Sequence, residues 1–472
     1  MANSTRGLCL PDTWVHRRLI LLLVAGLWSL CPGSGSVPPA EAQSVSQTIP
    51  FGSADDPREQ IQRVWWRREN NLFAMGGLSL IAAQWRGAGT LSLNLVTRSI
   101  TGRLSGTLRA GYLGEYTPDV DEPYDLIRLV EFARYNPPRN HRVHLRAGLL
   151  DRISLGVGHT VSFFNSSIAW DERTVGAEFI RQGRILELAG FTDNVLFDGV
   201  VGGRVALRPL AWSRLRYTRT AQIGFNYATD RTSRLPDTRR LEAYNIDLQF
   251  DLFESGSVKF APYASYAWYP GFGDGIAFGG DLYSERFIDL LSFRLRVGLF
   301  YNSQGFIPGY IGAFYPVNNP QARIVDSDAD LGNIQETDLK GIALQQSAGA
   351  NDLLTELKIQ LGGFELWYYF RRHYGHQRLS ELHLRLFLRT AERIRLEVGI
   401  DRQGLKGFFT LFNDLGDQSA LVFGTDYYLV GPLWLFLRAR YSFERVQGDM
   451  DHAQRFLVQR RFEPMTGIRL RF

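Results

Sequence analysis

Pro464-Met465-Thr466-Gly467-Ile468-Arg469-Leu470-Arg471-Phe472 closes the chain. Taken in steps of two, it sets Phe472, Leu470, Ile468 and Thr466 on one side and Arg471, Arg469 and Gly467 on the other. Successive side chains of a strand point to opposite faces, so this segment is a ribbon with one apolar and one cationic surface. It ends on an aromatic carboxylate.

The same alternation recurs upstream from about Leu91 onward. Leu382, Leu384, Leu386 and Leu388 interleave with His383, Arg385, Phe387 and Arg389, and Ile394, Leu396, Val398 and Ile400 with Arg395, Glu397, Gly399 and Asp401. Leu291, Phe293, Leu295, Val297 and Leu299 alternate with Ser292, Arg294, Arg296 and Gly298. Tyr244 to Leu252 alternates with Asn245, Asp247, Gln249 and Asp251, and Val143 to Leu149 with Arg142, His144, Arg146 and Gly148. Leu433, Leu435, Leu437, Ala439, Tyr441 and Phe443 face away from Arg438, Arg440, Ser442 and Glu444. Each run is about 9–12 residues, the length a tilted strand needs to cross a bilayer's hydrocarbon layer. Strands of soluble proteins are shorter, about 5–6 residues.

Energetics make the register strict. An arginine turned toward lipid at mid-depth costs roughly 2–4 kcal/mol. Slipping Leu291–Leu299 by one residue would expose both Arg294 and Arg296, at about 4–8 kcal/mol, as much as the whole stability of a typical domain. The arginines therefore belong inside a closed cylinder.

The start of the chain reads as an export signal. Arg6, Arg17 and Arg18 flank a short apolar run from Leu19 to Leu30, and Ala40-Glu41-Ala42 supplies a cleavage pattern, so residues 1–42 are a signal peptide. The run is too short for a membrane anchor. Cys31 follows it, but Trp28-Ser29-Leu30 is a poor match to a lipidation site. The only cysteines, Cys9 and Cys31, lie within that signal, which excludes disulfides, thiolate metal sites and thiol nucleophiles from the mature protein. No run of 18 apolar residues follows Leu30, so no membrane helix is expected. Aromatics make up 13% of the chain, which suits interfacial girdles. Of the 53 basic residues only Lys259, Lys340, Lys358 and Lys406 are lysine, yet net charge is only +5. Most arginines must face carboxylates, and an exported chain of this balance is not a nucleic-acid binder.

The export signal, the alternation and the closing Ile468/Leu470/Phe472 pattern together resemble Gram-negative outer-membrane β-barrel proteins of the porin-like kind. The resemblance implies that the last strand is an assembly signal read by the barrel-assembly machinery. It also implies contact with outer-membrane lipid and lipopolysaccharide, passage of small solutes, and a homotrimer as one assembly state. The expected fold is all-β, a transmembrane antiparallel barrel over 72–472 of about 18–20 strands (range roughly 16–22), even in number. Turn signals at 136–140, Arg181-Gln182-Gly183-Arg184 and Gly431-Pro432 separate the strands, and no fixed-period repeat is visible.

Two regions break the pattern. Within an N-terminal segment at 43–71, Asp56-Pro57-Arg58-Glu59 looks like an N-cap, first-turn proline and capping-box glutamate, predicting a short helix over Pro57–Asn70. From Asn302 to Glu336, aromatics (Phe306, Tyr310, Phe314, Tyr315) precede acidic Asp326, Asp328 and Asp330. The default for that stretch is an external loop. The sharper expectation is a constriction loop folded into the barrel, aromatics on the wall and carboxylates toward the arginines.

Catalysis finds little support. His159 and Ser162 have the residue types of a nucleophile–base pair, but residues three apart on a strand face opposite ways. His141 and His144 are separated likewise. His373 and His376 could converge in a turn, but two ligands without a carboxylate make a weak metal site. Gly271-Phe272-Gly273-Asp274-Gly275 reads as a strand connection rather than a phosphate loop. Trp367-Tyr368-Tyr369 and Tyr427-Tyr428 are assigned to interfacial belts, with a carbohydrate-stacking track inside the pore as the alternative, for which at most about half of them could line the lumen. The wall candidates are Arg109, Arg142, Arg146, Arg294, Arg296, Arg385, Arg389, Arg395, Arg438, Arg440, Arg469 and Arg471, with Asp247, Asp251, Glu397, Asp401 and Glu444. Most of these charges satisfy one another across strands. Any surplus would favour anions in an aqueous pore. The favoured function is passive diffusion of small hydrophilic or anionic solutes, with no cofactor, no metal and no enzymatic activity. The alternatives are a barrel filled by its own side chains, structural or an assembly partner, and an outer-membrane lipid hydrolase.

Overall fold

The computed structural model describes residues 70–472 except 82, 98, 112–113, 116–118, 120–121, 136–142, 151, 232–239, 256, 288–290, 318–342, 346, 362, 375–379, 391–392, 406–418 and 447–454. The expected signal peptide and the helix over 57–70 fall outside the described residues, apart from Asn70.

The first half of the wall runs β1 (Asn71–Ile81), β2 (Gln84–Val96), β3 (Ile100–Gly111), β4 (Gly114–Glu115), β5 (Val130–Tyr135), β6 (Val143–Gly148), β7 (Gly176–Gln182), β8 (Leu186–Thr192), β9 (Val200–Leu207), β10 (Gln222–Asp230) and β11 (Leu241–Gln249). It continues through β12 (Phe253–Ser255), β13 (Val258–Tyr269), β14 (Gly273–Phe287), β15 (Leu291–Asn302), β16 (Asn351–Leu361), β17 (Phe364–His373), β18 (Glu381–Thr390), β19 (Ile394–Gln403), β20 (Ser419–Val430), β21 (Leu433–Val446) and β22 (Arg455–Arg471). Every pairing is antiparallel, mostly between chain neighbours, and β22 closes on β1 with Leu470 opposite Leu72 and Ile468 opposite Ala74. Short β4 lies beside the end of β3, and β12 continues the line of β11 along β13, so the closed wall has 20 strand positions. That is the expected architecture. Closure leaves no sheet edge, so the ladder satisfies the backbone all round the wall.

Side chains sort by face as alternation requires. Leu78, Leu91, Leu108, Val205, Phe225, Ile246, Phe278, Leu299, Leu435, Ile468 and Leu470 all point outward and are well exposed, forming an apolar outer band. Their strand neighbours point inward, and many are buried polar groups: Asn71, Asn226, Asn245, Asp247, Glu356, Lys358, Asp426. Lipid is the solvent for these outward residues.

Connections at the end of the barrel carrying both chain termini are mostly tight, as at 183–185 and 431–432, where Gly431 adopts φ 56°. At the opposite end two long connections, 149–175 after β6 and 303–350 after β15, depart from the wall. Their described parts enter the barrel. Leu150, Ile153, Leu155, Val161 and Phe164 from the first pack with Phe306, Ile307, Ile311 and Tyr315 from the second, against inward Ala228, Ala243, Ala267 and Tyr269 of the wall. The region around His159 is therefore not strand, as its local alternation suggested, but inserted loop.

Candidate functional site

The inserted segments meet through backbone. Val161 and Ile311 form a parallel bridge, with the Ser162 N–H on the Ile311 carbonyl at 3.2 Å and the Gly309 N–H on the His159 carbonyl at 2.8 Å. Wall arginines then cap carbonyls that no sheet partner reaches. Arg371 on β17, 1% exposed, donates to the Pro308 carbonyl at 2.5 Å, the Gly158 carbonyl at 3.3 Å and the Ser162 hydroxyl at 3.1 Å, so one guanidinium holds both segments. Arg296 donates to the Val157 carbonyl and lies 3.8 Å from Glu356. Arg204, in a bidentate pair with Asp247, sits under Gly156. Glycine is required at two of these contacts. Gly309 has φ +64° and an added Cβ would collide with the Arg371 guanidinium; Gly156 has φ +56° and a Cβ there would meet Arg204 and Asp247.

Aromatics complete this filled half. Phe163 packs 4.3 Å from Tyr369 and 5.0 Å from Trp367, whose indole N–H donates to Glu356 at 3.0 Å. Trp367 and Tyr369 thus face inward, buried, rather than joining an interfacial belt. Their register explains it: Trp367 lies opposite Lys358 and Arg385, and Tyr369 opposite Glu356 and His383. Tyr427, by contrast, is outward and exposed. The aromatics of the second segment are inside too, with the Tyr315 hydroxyl donating to Asp230 at 2.7 Å and Tyr310 edge-on to Tyr269. Asp326, Asp328 and Asp330 lie outside the described residues. Phe443, which alternation puts outward, is instead buried edge-on to Phe314 at 6.2 Å, because the inserted segment offers it an apolar neighbour near the top of β21.

The opposite half of the interior is not packed. β1–β3, β5 and β18–β22 enclose a cavity of about 280 Å³, floored in part by Asn165, Ser167 and Trp170 of the first inserted segment. Ion pairs line it: Arg103–Glu131 at 3.0 Å, Arg109–Glu463 at 2.7 Å, Arg385–Asp401 at 2.7 Å and Arg438–Asp426 at 2.5 Å. Thr90, Ser105 and Thr107 line the same space.

The positions singled out in the sequence divide between these halves. Arg294 and Arg296 with Asp281 and Glu356, and Asp247 with Arg204, belong to the packed half. Arg109, Arg385, Arg438, Arg440, Glu397 and Asp401 line the cavity. Arg146 is buried 3.5 Å from Glu178, Arg395 lies inward over Trp434, and Arg469 is inward on β22. Asp251 lies beyond β11, 3.7 Å from Arg216. Arg142, and the side chains of Arg389 and Glu444, are outside the described residues. Arg371, Arg204 and Tyr369 were missed as a group. The available signal was Gly156 and Gly158 interrupting an apolar run, which a strand would not carry.

Among the described residues the histidines singled out do not assemble a catalytic or metal centre. His159, fully buried, places Nδ1 3.0 Å from the Ser265 hydroxyl, while Nε2 has no hydrogen-bond partner and no carboxylate orients the ring. Burial first, and the Arg371 charge second, hold its pKa down at about 3, so the ring is neutral. Ser162 turns instead to Tyr369 and Arg371. His373 pairs with Asp352 at 2.8 Å, while His376 lies outside the described residues. Among the described residues no cluster of three His, Cys, Asp or Glu could hold a metal ion.

No protein-family model matches the sequence, and no curated protein does. Solved structures similar to the chain include Wzi, described as an outer membrane protein involved in group 1 capsule assembly in Escherichia coli and a carbohydrate-binding β-barrel. Identity to it is 9%, with 92% of this chain and 91% of that one covered and a TM-score of 0.32. OpdL from Pseudomonas aeruginosa is similar at 12% identity, covering 86% and 98%, with a TM-score of 0.30. CdiB from Acinetobacter baumannii matches at 8% identity over 85% of this chain, with a TM-score of 0.25, and the chain spans 60% of its length. The closed register, the outward apolar band and the polar interior make this chain a membrane-spanning antiparallel β-barrel.

Proposed function

We propose that the protein is a narrow diffusion channel for small hydrophilic solutes, with anions favoured, and that passage runs through the unpacked half of the interior. The observation carrying this reading is the 280 Å³ cavity walled by paired charges and hydroxyls. Such a space holds on the order of 10–20 waters and has enough polar partners to keep them. Of its lining arginines, Arg103, Arg109, Arg385 and Arg438 are paired with acids, while Arg440 makes no ion pair among the described residues. An arginine without a paired acid in a confined pathway attracts anions and repels cations. Insertion through the assembly machinery, by way of the strand ending in Ile468, Leu470 and Phe472, belongs to the same reading.

Planar-bilayer recording tests it. The expected result is discrete conductance steps in potassium chloride and a zero-current potential in a salt gradient displaced toward the chloride equilibrium value. A protein that inserts but gives no steps would overturn the reading. The packed half, where two segments and three wall arginines exclude solvent, favours a second one: a filled, structural barrel.

A further inference from the structure

Among the arginines facing the cavity, Arg440 stands apart. Arg103, Arg109, Arg385 and Arg438 each reach a carboxylate. Among the described residues Arg440 makes no ion pair; its guanidinium lies 3.3 Å from the centre of the Trp170 ring. Directly opposite it across β21 and β22 is Arg461, whose carboxylate partner is Asp171 at 2.5 Å. Like charges directly opposite are destabilising in a ladder. Arg173 also approaches the Trp170 ring, at 4.8 Å, and donates to backbone carbonyls of Trp170 and Arg128 rather than to an acid. Two guanidiniums therefore share one indole, a third lies opposite one of them with Asp171 as its paired acid, and the fork of the one facing the cavity is unused.

Resting on the channel reading, we propose that Arg440, held over the Trp170 ring, is a subsite for the carboxylate of a small hydroxylated acid. A planar guanidinium with a free edge matches a planar two-oxygen anion in a bidentate pair, which a spherical halide cannot make. The indole fixes the fork in advance, lowering the ordering cost of binding. Thr90, Ser105, Thr107 and Ser167 line the same cavity, and their hydroxyls both donate and accept. They suit the hydroxyl groups of a sugar acid. Carboxylate binding also offsets the Arg440–Arg461 repulsion, so the site is stabilised by its ligand.

Calorimetric titration of the detergent-solubilised full chain with sodium gluconate tests this, with glucose and sodium chloride as controls. Saturable binding of gluconate, with neither control competing at equal concentration, is expected. Arg440→Gln should weaken it ~10- to 100-fold, the worth of a charge-assisted pair. Arg440→Lys should fall between, and Trp170→Ala should weaken it by roughly 3-fold through loss of the stack. Heat-modifiable gel migration shows which variants remain folded barrels; should Arg440→Gln not fold, the lysine and Trp170 variants decide. Wild-type protein that binds no gluconate, or folded variants that bind it unchanged, would overturn the subsite. Bilayer recording separates this from the channel reading: gluconate binding without conductance sinks the channel alone, and chloride conductance without gluconate binding sinks the subsite alone.

Discussion

The two halves of the barrel interior are built from the same residue types and use them differently. Around β8–β17 Arg204 and Arg294 pair with Asp247 and Asp281, but Arg371 and Arg296 spend donors on the carbonyls of inserted segments, and those segments bring Phe163 and Phe306 to fill the space. Around β18–β3 the inward arginines mostly point at carboxylates on neighbouring strands, and water-sized space remains between them. Where a loop carbonyl comes within reach it takes an interior arginine as a hydrogen-bond donor; acids pair arginines in both halves, and where no loop intrudes the middle stays open.

Removing Arg371 should give the largest effect. Arg371→Ala removes the guanidinium 3.7 Å from buried Glu381, leaving it His383 at 3.5 Å, and orphans two carbonyls. Breaking a buried pair from one side costs about 3–5 kcal/mol. Urea unfolding from lipid vesicles should register that loss, with conductance rising as the inserted segments loosen. A stable variant of unchanged conductance would mean the filled half does not depend on this clamp. The outer surface should not distinguish the halves at all. Leu299→Arg beside the filled side and Leu435→Arg beside the open side should each cost about 2–4 kcal/mol, since both are outward. A marked inequality in the same unfolding assay would show that the interior asymmetry reaches the lipid face. Gly309→Ala comes next, at roughly 2 kcal/mol for a left-handed backbone plus displacement of Arg371. Its unfolding midpoint should fall while that of Gly89→Ala, where a Cβ meets open space, should not.

The wall was legible in the sequence and the filling was not, for one physical reason. Lipid on one side and polar groups on the other force a period of two along Leu291–Asn302 or Ile394–Gln403, so face and register follow directly. The segment 149–175 also places Ile153, Leu155 and Val157 at alternate positions, and nothing in that spacing separates an inserted loop from a strand. Only the glycines at 156 and 158, both at positive φ, mark the difference. β17 is silent in another way. Phe364, Leu366, Tyr368 and Phe370 point outward while Trp367 and Tyr369 point inward, so both faces are apolar and alternation has no contrast to report. The cavity-facing charges were named individually, but their partition into a packed and an open half depends on loops that no strand pattern encodes.

Glu397 gives the smallest expected effect and the sharpest division. It lies on the cavity wall with no hydrogen bond or ion pair among the described residues, while the nearby Arg385 and Arg438 are engaged by Asp401 and Asp426. A polar group in the filled half cannot be removed without stranding another, as with Trp367 and Glu356. Glu397→Gln strands nothing, so its unfolding free energy should change by less than about 1 kcal/mol. It does remove a negative charge from a confined pathway already rich in arginine, so the zero-current potential in a salt gradient should move further toward chloride. A loss of several kcal/mol would show that this carboxylate is structurally engaged and that the open half is packed after all. An unmoved potential in a stable, conducting variant would place the ion path elsewhere than along this wall.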